Sequence, residues 1–100
     1  MKLVILVNRD DHLAHIVGLT RAATGKSHEV RIFAMDSGTR LLDEALFVDL
    51  AGLPGVSMCA CGHSMDREGI EGDGLPEAVV RGSQLNYSMM NRDADRVIVL

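Results

Sequence analysis

Both cysteines of this 100-residue chain stand in one short run, Cys59-Ala60-Cys61-Gly62-His63-Ser64. An apolar stretch, Val56-Ser57-Met58, leads into them, and Ser64-Met65-Asp66 behind them has the composition of a helix start. A thiol at such a junction faces unpaired backbone N–H groups, which favour its thiolate. The thiolate is the nucleophile, so the pattern points to sulfur chemistry rather than packing. A free thiol titrates at about 8.5, and at neutral pH only a few per cent is ionised unless the surroundings lower that value.

Cys61, the last residue before the turn, is the candidate nucleophile. Cys59 lies two residues earlier and on a strand would point to the same face. It reads as a packed strand cysteine. A second role stays open, either resolving a persulfide or sulfenate on Cys61 or closing a strained Cys-x-Cys disulfide. His63 could donate a hydrogen bond to a thiolate, act as a base, or simply occupy an exposed turn. Ser64 offers a helix N-cap. Cys59, Cys61 and His63, with His12 as a fourth ligand, also spell a metal-binding string. Structural zinc sites prefer C-x₂-C knuckles and about four ligands, so no metal is expected. Asn8, Asp10 and His12, after the first apolar run, are pocket candidates, although Asp10 or Asp11 also suits a helix cap. Neither G-x-G-x-x-G nor a P-loop is present, and no cofactor is expected.

These residues need a scaffold, and composition limits its kind. One hundred residues suit one domain spanning 1–100. Apolar residues make up 47 %, with no Trp, one Tyr and two Phe, so the core must be aliphatic. Met58, Met65, Met89 and Met90 read as filler of core or interface. The net charge of −4 and the scattered Lys and Arg argue against a nucleic-acid partner. The apolar run near the amino terminus covers residues 3–7, too short for a signal-peptide core or a membrane span. A cytoplasmic location is therefore expected, where a structural disulfide is disfavoured.

Residues 2–8, 28–35, 55–60, 78–81 and 95–100 read as strands, several of them continuous apolar runs that suit burial on both faces. Between them the pattern predicts a first helix capped by Asp10 or Asp11 and ended by Gly25. A second runs from Ser37 or Thr39 to Gly52 and Pro54, a short third from Ser64 to Gly69, and a fourth from Ser83 to Asn91. Strands alternating with helices predict a parallel α/β sheet with right-handed crossovers. The second helix is apolar around much of its circumference, so Leu46, Phe47 and Val48 are expected to form a subunit interface. In open sheets of this class, chemistry gathers at the carboxyl ends of strands. Those ends carry residues 8–12, Met35-Asp36-Ser37 and the cysteine pair.

The whole pattern resembles the DsrE/DsrF-like (TusD/DsrE-like) family of small sulfur-relay proteins. The residues that carry the likeness are Gly55-Val56, Cys61, Ser64-Met65-Asp66, Gly69-Ile70 and Ala94-Asp95-Arg96-Val97-Ile98. The order of elements agrees along essentially the entire chain. The resemblance implies a flavodoxin-like three-layer α/β/α fold with a mostly parallel sheet of about five strands, assembled into trimers or hexamers. It further implies that Cys61 takes sulfane sulfur as a persulfide from a donor protein and hands it to an acceptor protein. Cys59 stands outside the family pattern, and the acidic loop at residues 71–73 would bear on partner choice. The alternatives are a non-enzymatic oligomeric binding module of the same fold and a Cys/His metal-binding protein.

Overall fold

The first apolar run becomes β1 (Lys2–Val7) in a computed structural model that describes residues 1–100. β1 lies between β2 (Glu29–Ala34) and β5 (Arg96–Val99), while β3 (Val56–Cys61) and β4 (Val79–Gly82) extend the sheet beyond β2. The order is β4-β3-β2-β1-β5, parallel at every pairing.

That order dictates the layers. The first three crossovers step the same way along the sheet, so right-handedness lays their helical segments on one face. These are α1 (Leu13–Gly25), the segment at residues 36–52 and α3 (Gly62–Glu68). The return from β4 to β5 runs the other way and puts α4 (Gln84–Asn91) on the opposite face. Core packing agrees. Ile5, Ile32 and Met58 cluster with Ile16, Phe47 and Met65, whereas Phe33, Cys59 and Cys61 pack with Leu6, Tyr87 and Met90. The result is a flavodoxin-like three-layer α/β/α arrangement.

Residues 37–52 do not form the continuous helix their composition predicts. A 3₁₀ segment, Asp36–Asp43, gives way at the extended residue Glu44 to α2 (Ala45–Val48) and a second 3₁₀ turn, Asp49–Gly52. The tight winding brings Gly38 against the carbonyl of Val7, where any side-chain carbon would overlap the Val7 oxygen. Winding also turns the apolar residues inward: Leu41, Leu42, Leu50 and Ala51 are buried, and Phe47 is 0 % exposed. Phe47 therefore cannot serve as an interface residue, Val48 is half-buried, and Leu46 alone projects, at 59 %. Phe47 is thereby removed from the predicted interface, because the core itself consumes it, while Leu46 stays accessible.

Unsatisfied apolar surface lies instead on the α4 side. One eight-residue helix without a buried residue must cover a five-stranded face. Val80, Leu85, Met89, Val97 and Val99 are left exposed there. Val97 and Val99 neighbour Val4 and Leu6, and Val80 neighbours Cys59. α4 is held at both ends. Ser83 caps it with a reciprocal capping box to Asn86, and Arg31 donates to the Met90 carbonyl and to Asp93, both at 2.6 Å. Arg31 and Lys2 hold the Asp93 carboxyl far below its ordinary value. No helix is long and apolar enough to cross a membrane.

Candidate functional site

Cys61 ends β3 and is itself the N-cap of α3, so strand and helix meet at the sulfur-bearing residue without a loop. Ser64, predicted as the cap, sits inside the first turn instead and is buried. The shift follows from β3 continuing through Cys61, which pairs with Gly82 of β4. Ser64 stands three residues past the cap and lines the same cavity as Cys61.

Burial pushes the Cys61 thiol up. The Ser64 hydroxyl, the backbone N–H groups of Ser64 and His63, and the Gln84 side chain outweigh burial and hold the thiol below its ordinary value. α3 has only seven residues, so these individual donors, rather than a long helix dipole, stabilise the anion. Cys59 behaves oppositely. Burial pushes its thiol up, and the adjacent Cys61 adds to that by charge repulsion. One strand thus carries an activated and a suppressed thiol on the same face, both unpaired.

The Cys61 sulfur opens onto a cavity of about 580 Å³. Met35 and Asp36 wall it from the end of β2, His63 and Arg67 from α3, and Gln84 and Leu85 from the start of α4. Gln84 also donates to the Met35 sulfur at 3.7 Å, which ties the β2 end to the α4 start across the cavity. Asp36 adopts a left-handed backbone, φ 50°, and its carboxylate accepts from Arg67 at 2.7 Å. Cys59 faces a separate cavity with Arg31, Val80 and Met89.

Two glycines make the site possible. A side-chain carbon at Gly62 would come within 2.8 Å of Arg81 Nε. Arg81, from edge strand β4, lies across that gap and donates to the Gly62 carbonyl at 3.1 Å and to Asp66 at 2.8 Å. It thereby pins the turn whose N–H groups face Cys61. At Gly82 a side-chain carbon would meet Asn86 Oδ1 at 2.5 Å and the Cys59 sulfur at 2.7 Å. Gly69, at φ 72°, closes α3 in the left-handed region, and the Ile70 N–H returns to the Met65 carbonyl at 2.8 Å.

Cys61, His63 and Ser64 meet in one cavity, but Asn8, Asp10 and His12 do not join them. β2 lies between β1 and β3, so the loop after β1 is two strand spacings, about 10 Å, from the sulfur. Asp10 instead pairs with Arg40 at 3.7 Å, and the His12 ring donates to the Leu100 carbonyl at 3.1 Å. Neither Asp10 nor Asp11 caps α1. Its N-cap is His12, with no side-chain cap, and Asp11 pairs with Arg9. No three His, Cys, Asp or Glu side chains converge as a metal would need. Sequence reading missed Gln84, Arg67 and Arg81. Gln84 lies just past the carboxyl end of β4, and strand ends are where chemistry gathers in such sheets, so its position was the available signal.

No family model matches this chain, and no curated protein matches it. Solved structures do. A protein of unknown function, MTH1491 from Methanobacterium thermoautotrophicum, superposes with a TM-score of 0.76 at 21 % identity, over 99 % of this chain and 98 % of its own. The ychN protein of E. coli superposes with a TM-score of 0.74 at 15 % identity, over 100 % of both chains. At such identities the likeness establishes the fold.

Proposed function

We propose that this protein is a single-domain sulfur carrier of the DsrE/DsrF-like type, acting in the cytoplasm without a cofactor. The observation that carries the reading is the placement of Cys61 at the junction of β3 and α3, lining an open cavity with His63, Ser64 and Gln84, where its thiol is held below its ordinary value. The Cys61 thiolate attacks the outer sulfur of a donor protein's persulfide. A new S–S bond forms as the donor's breaks, and the donor sulfur leaves as thiolate. An acceptor protein's thiolate then takes the same sulfur from Cys61, so no oxidant is consumed. Donors already aimed at a thiolate serve a persulfide anion equally well. His63, on the cavity wall, is the auxiliary residue placed to move a proton.

Intact mass after incubation of the reduced protein with a persulfide donor tests this. Wild type gains one sulfur and Cys61→Ser gains none; equal gain by both, or gain by neither, overturns the reading.

The exposed apolar surface on the α4 side supports a second element, a homo-oligomer (trimer or hexamer by the family resemblance) that buries Leu85, Met89 and Val99. If Cys61 proves inert, the same surface supports a non-enzymatic oligomeric binding module.

A further inference from the structure

At the end of the sheet opposite Cys61, the amino ends of β1 and β5 and one flank of α1 enclose a groove of about 360 Å³. Leu19, Ala23 and Lys26 reach it from α1, Leu3 from β1, and Arg96 and Ile98 from β5. The positions from α1 lie on one stripe, as spacings of three and four require. Ala22 and Ala23 are too small to fill the space between α1 and the edge strand, which leaves Leu19 exposed beside it.

The charge around this groove is one-sided. Six of the ten Lys and Arg side chains form ion pairs; of the four that form none, Arg21, Lys26, Arg92 and Arg96, the groove holds Lys26 and Arg96. No carboxylate lines the groove. The nearest in sequence are engaged elsewhere: Glu29 accepts from Arg31 at 2.7 Å, and Asp95 accepts the Lys2 backbone N–H at 2.6 Å. A chain of net charge −4 therefore carries here an apolar floor with two unpaired side-chain cations, the Met1 ammonium held by His28 Nδ1 at 2.8 Å, and no anion.

We propose that this groove binds a linear aliphatic carboxylate of medium chain length. The chain lies on Leu3, Leu19, Ala23 and Ile98, and the carboxylate sits between Lys26 and Arg96. A small inorganic anion would leave the apolar floor wet, and a neutral alkyl chain would leave both cations unused. The volume suits a small ligand. The site shares no residue with the Cys61 cavity, so it stands independently of the sulfur reading.

The test is titration of sodium octanoate into the whole chain, followed by backbone amide NMR. We expect saturable shifts confined to residues 1–3, 19–28 and 96–98. Affinity should rise about fourfold per methylene from hexanoate to octanoate. Lys26→Glu with Arg96→Glu, both exposed and away from the core, should weaken binding at least about tenfold. Unchanged alkylation of Cys61 in that variant reports an intact fold. Absence of saturable shifts, octanol or inorganic phosphate binding as tightly as octanoate, or shifts centred on the Cys61 cavity would each overturn the proposal.

Discussion

The guanidinium of Arg81 lies across Gly62 and donates to its carbonyl oxygen at 3.1 Å. Gly62 is the residue after Cys61, so an edge strand fixes the turn that presents N–H groups to the sulfur. Arg81→Met should therefore slow alkylation of Cys61 at neutral pH several-fold. Because the side chain is half exposed, thermal stability should fall by only about 1 kcal/mol. Alkylation kinetics beside thermal melts separate these effects; a variant that melts lower yet reacts as fast as wild type rules out the positioning role.

The two cysteines should titrate on opposite sides of the ordinary thiol value. Cys61 reacts with iodoacetamide along a pH curve displaced downward, and Cys59 along one displaced upward. Ser64→Ala and Gln84→Ala each remove a group that favours the anion and should each slow Cys61 at pH 7, Ser64→Ala the more of the two. The linkage to stability has opposite signs. The lowered Cys61 contributes stability fully above the unfolded thiol value, lost as pH falls through its folded value. The raised Cys59 contributes below the unfolded value and loses its contribution as pH rises through its folded one. Cys59→Ala should flatten the alkaline loss of stability measured by denaturant titration, and an unchanged alkaline limb would count against the suppressed thiol.

Gly82→Ala should destabilise the protein by about 1–3 kcal/mol, because the new methyl meets Asn86 and the Cys59 sulfur at once. Adding Cys59→Ala relieves one of the two contacts and should recover part of the loss. Strict additivity in this double-mutant cycle would mean that the sulfur does not press on the glycine.

Phe47→Ala should cost about 3–5 kcal/mol, since its ring is wholly buried, while Leu46→Glu should be close to neutral. Neither is expected to report on assembly. Leu85→Glu, at 68 % exposure on the α4 side, should shift the sedimentation distribution toward the protomer while leaving the melt intact. Dissociation by Leu46→Glu and not by Leu85→Glu would return the interface to the second helical segment.

Much of this molecule is legible along the chain because its signals are local. A nearly continuous apolar run announces β1, and shorter runs rich in apolar residues announce β2 and β3; Gly25 and Gly69 mark helix ends; Ser83 caps α4 as its residue type leads one to expect. Cys61 at the strand–helix junction follows from the same punctuation, and alternation along β3 puts Cys59 on its face. Strand order is different, because backbone hydrogen bonds in a parallel ladder look alike whichever strand supplies them. The direction of each crossover sets that order, and only then is it decided which loops share an end. Placing β2 and β4 beside β3 brings Asp36, Gly82 and Gln84 to the sulfur and leaves Asn8, Asp10 and His12 two strands away. The same return crossover gives one sheet face three helical segments and the other only α4. Packing therefore buries Phe47 and exposes Leu85, a choice that apolar composition alone leaves open.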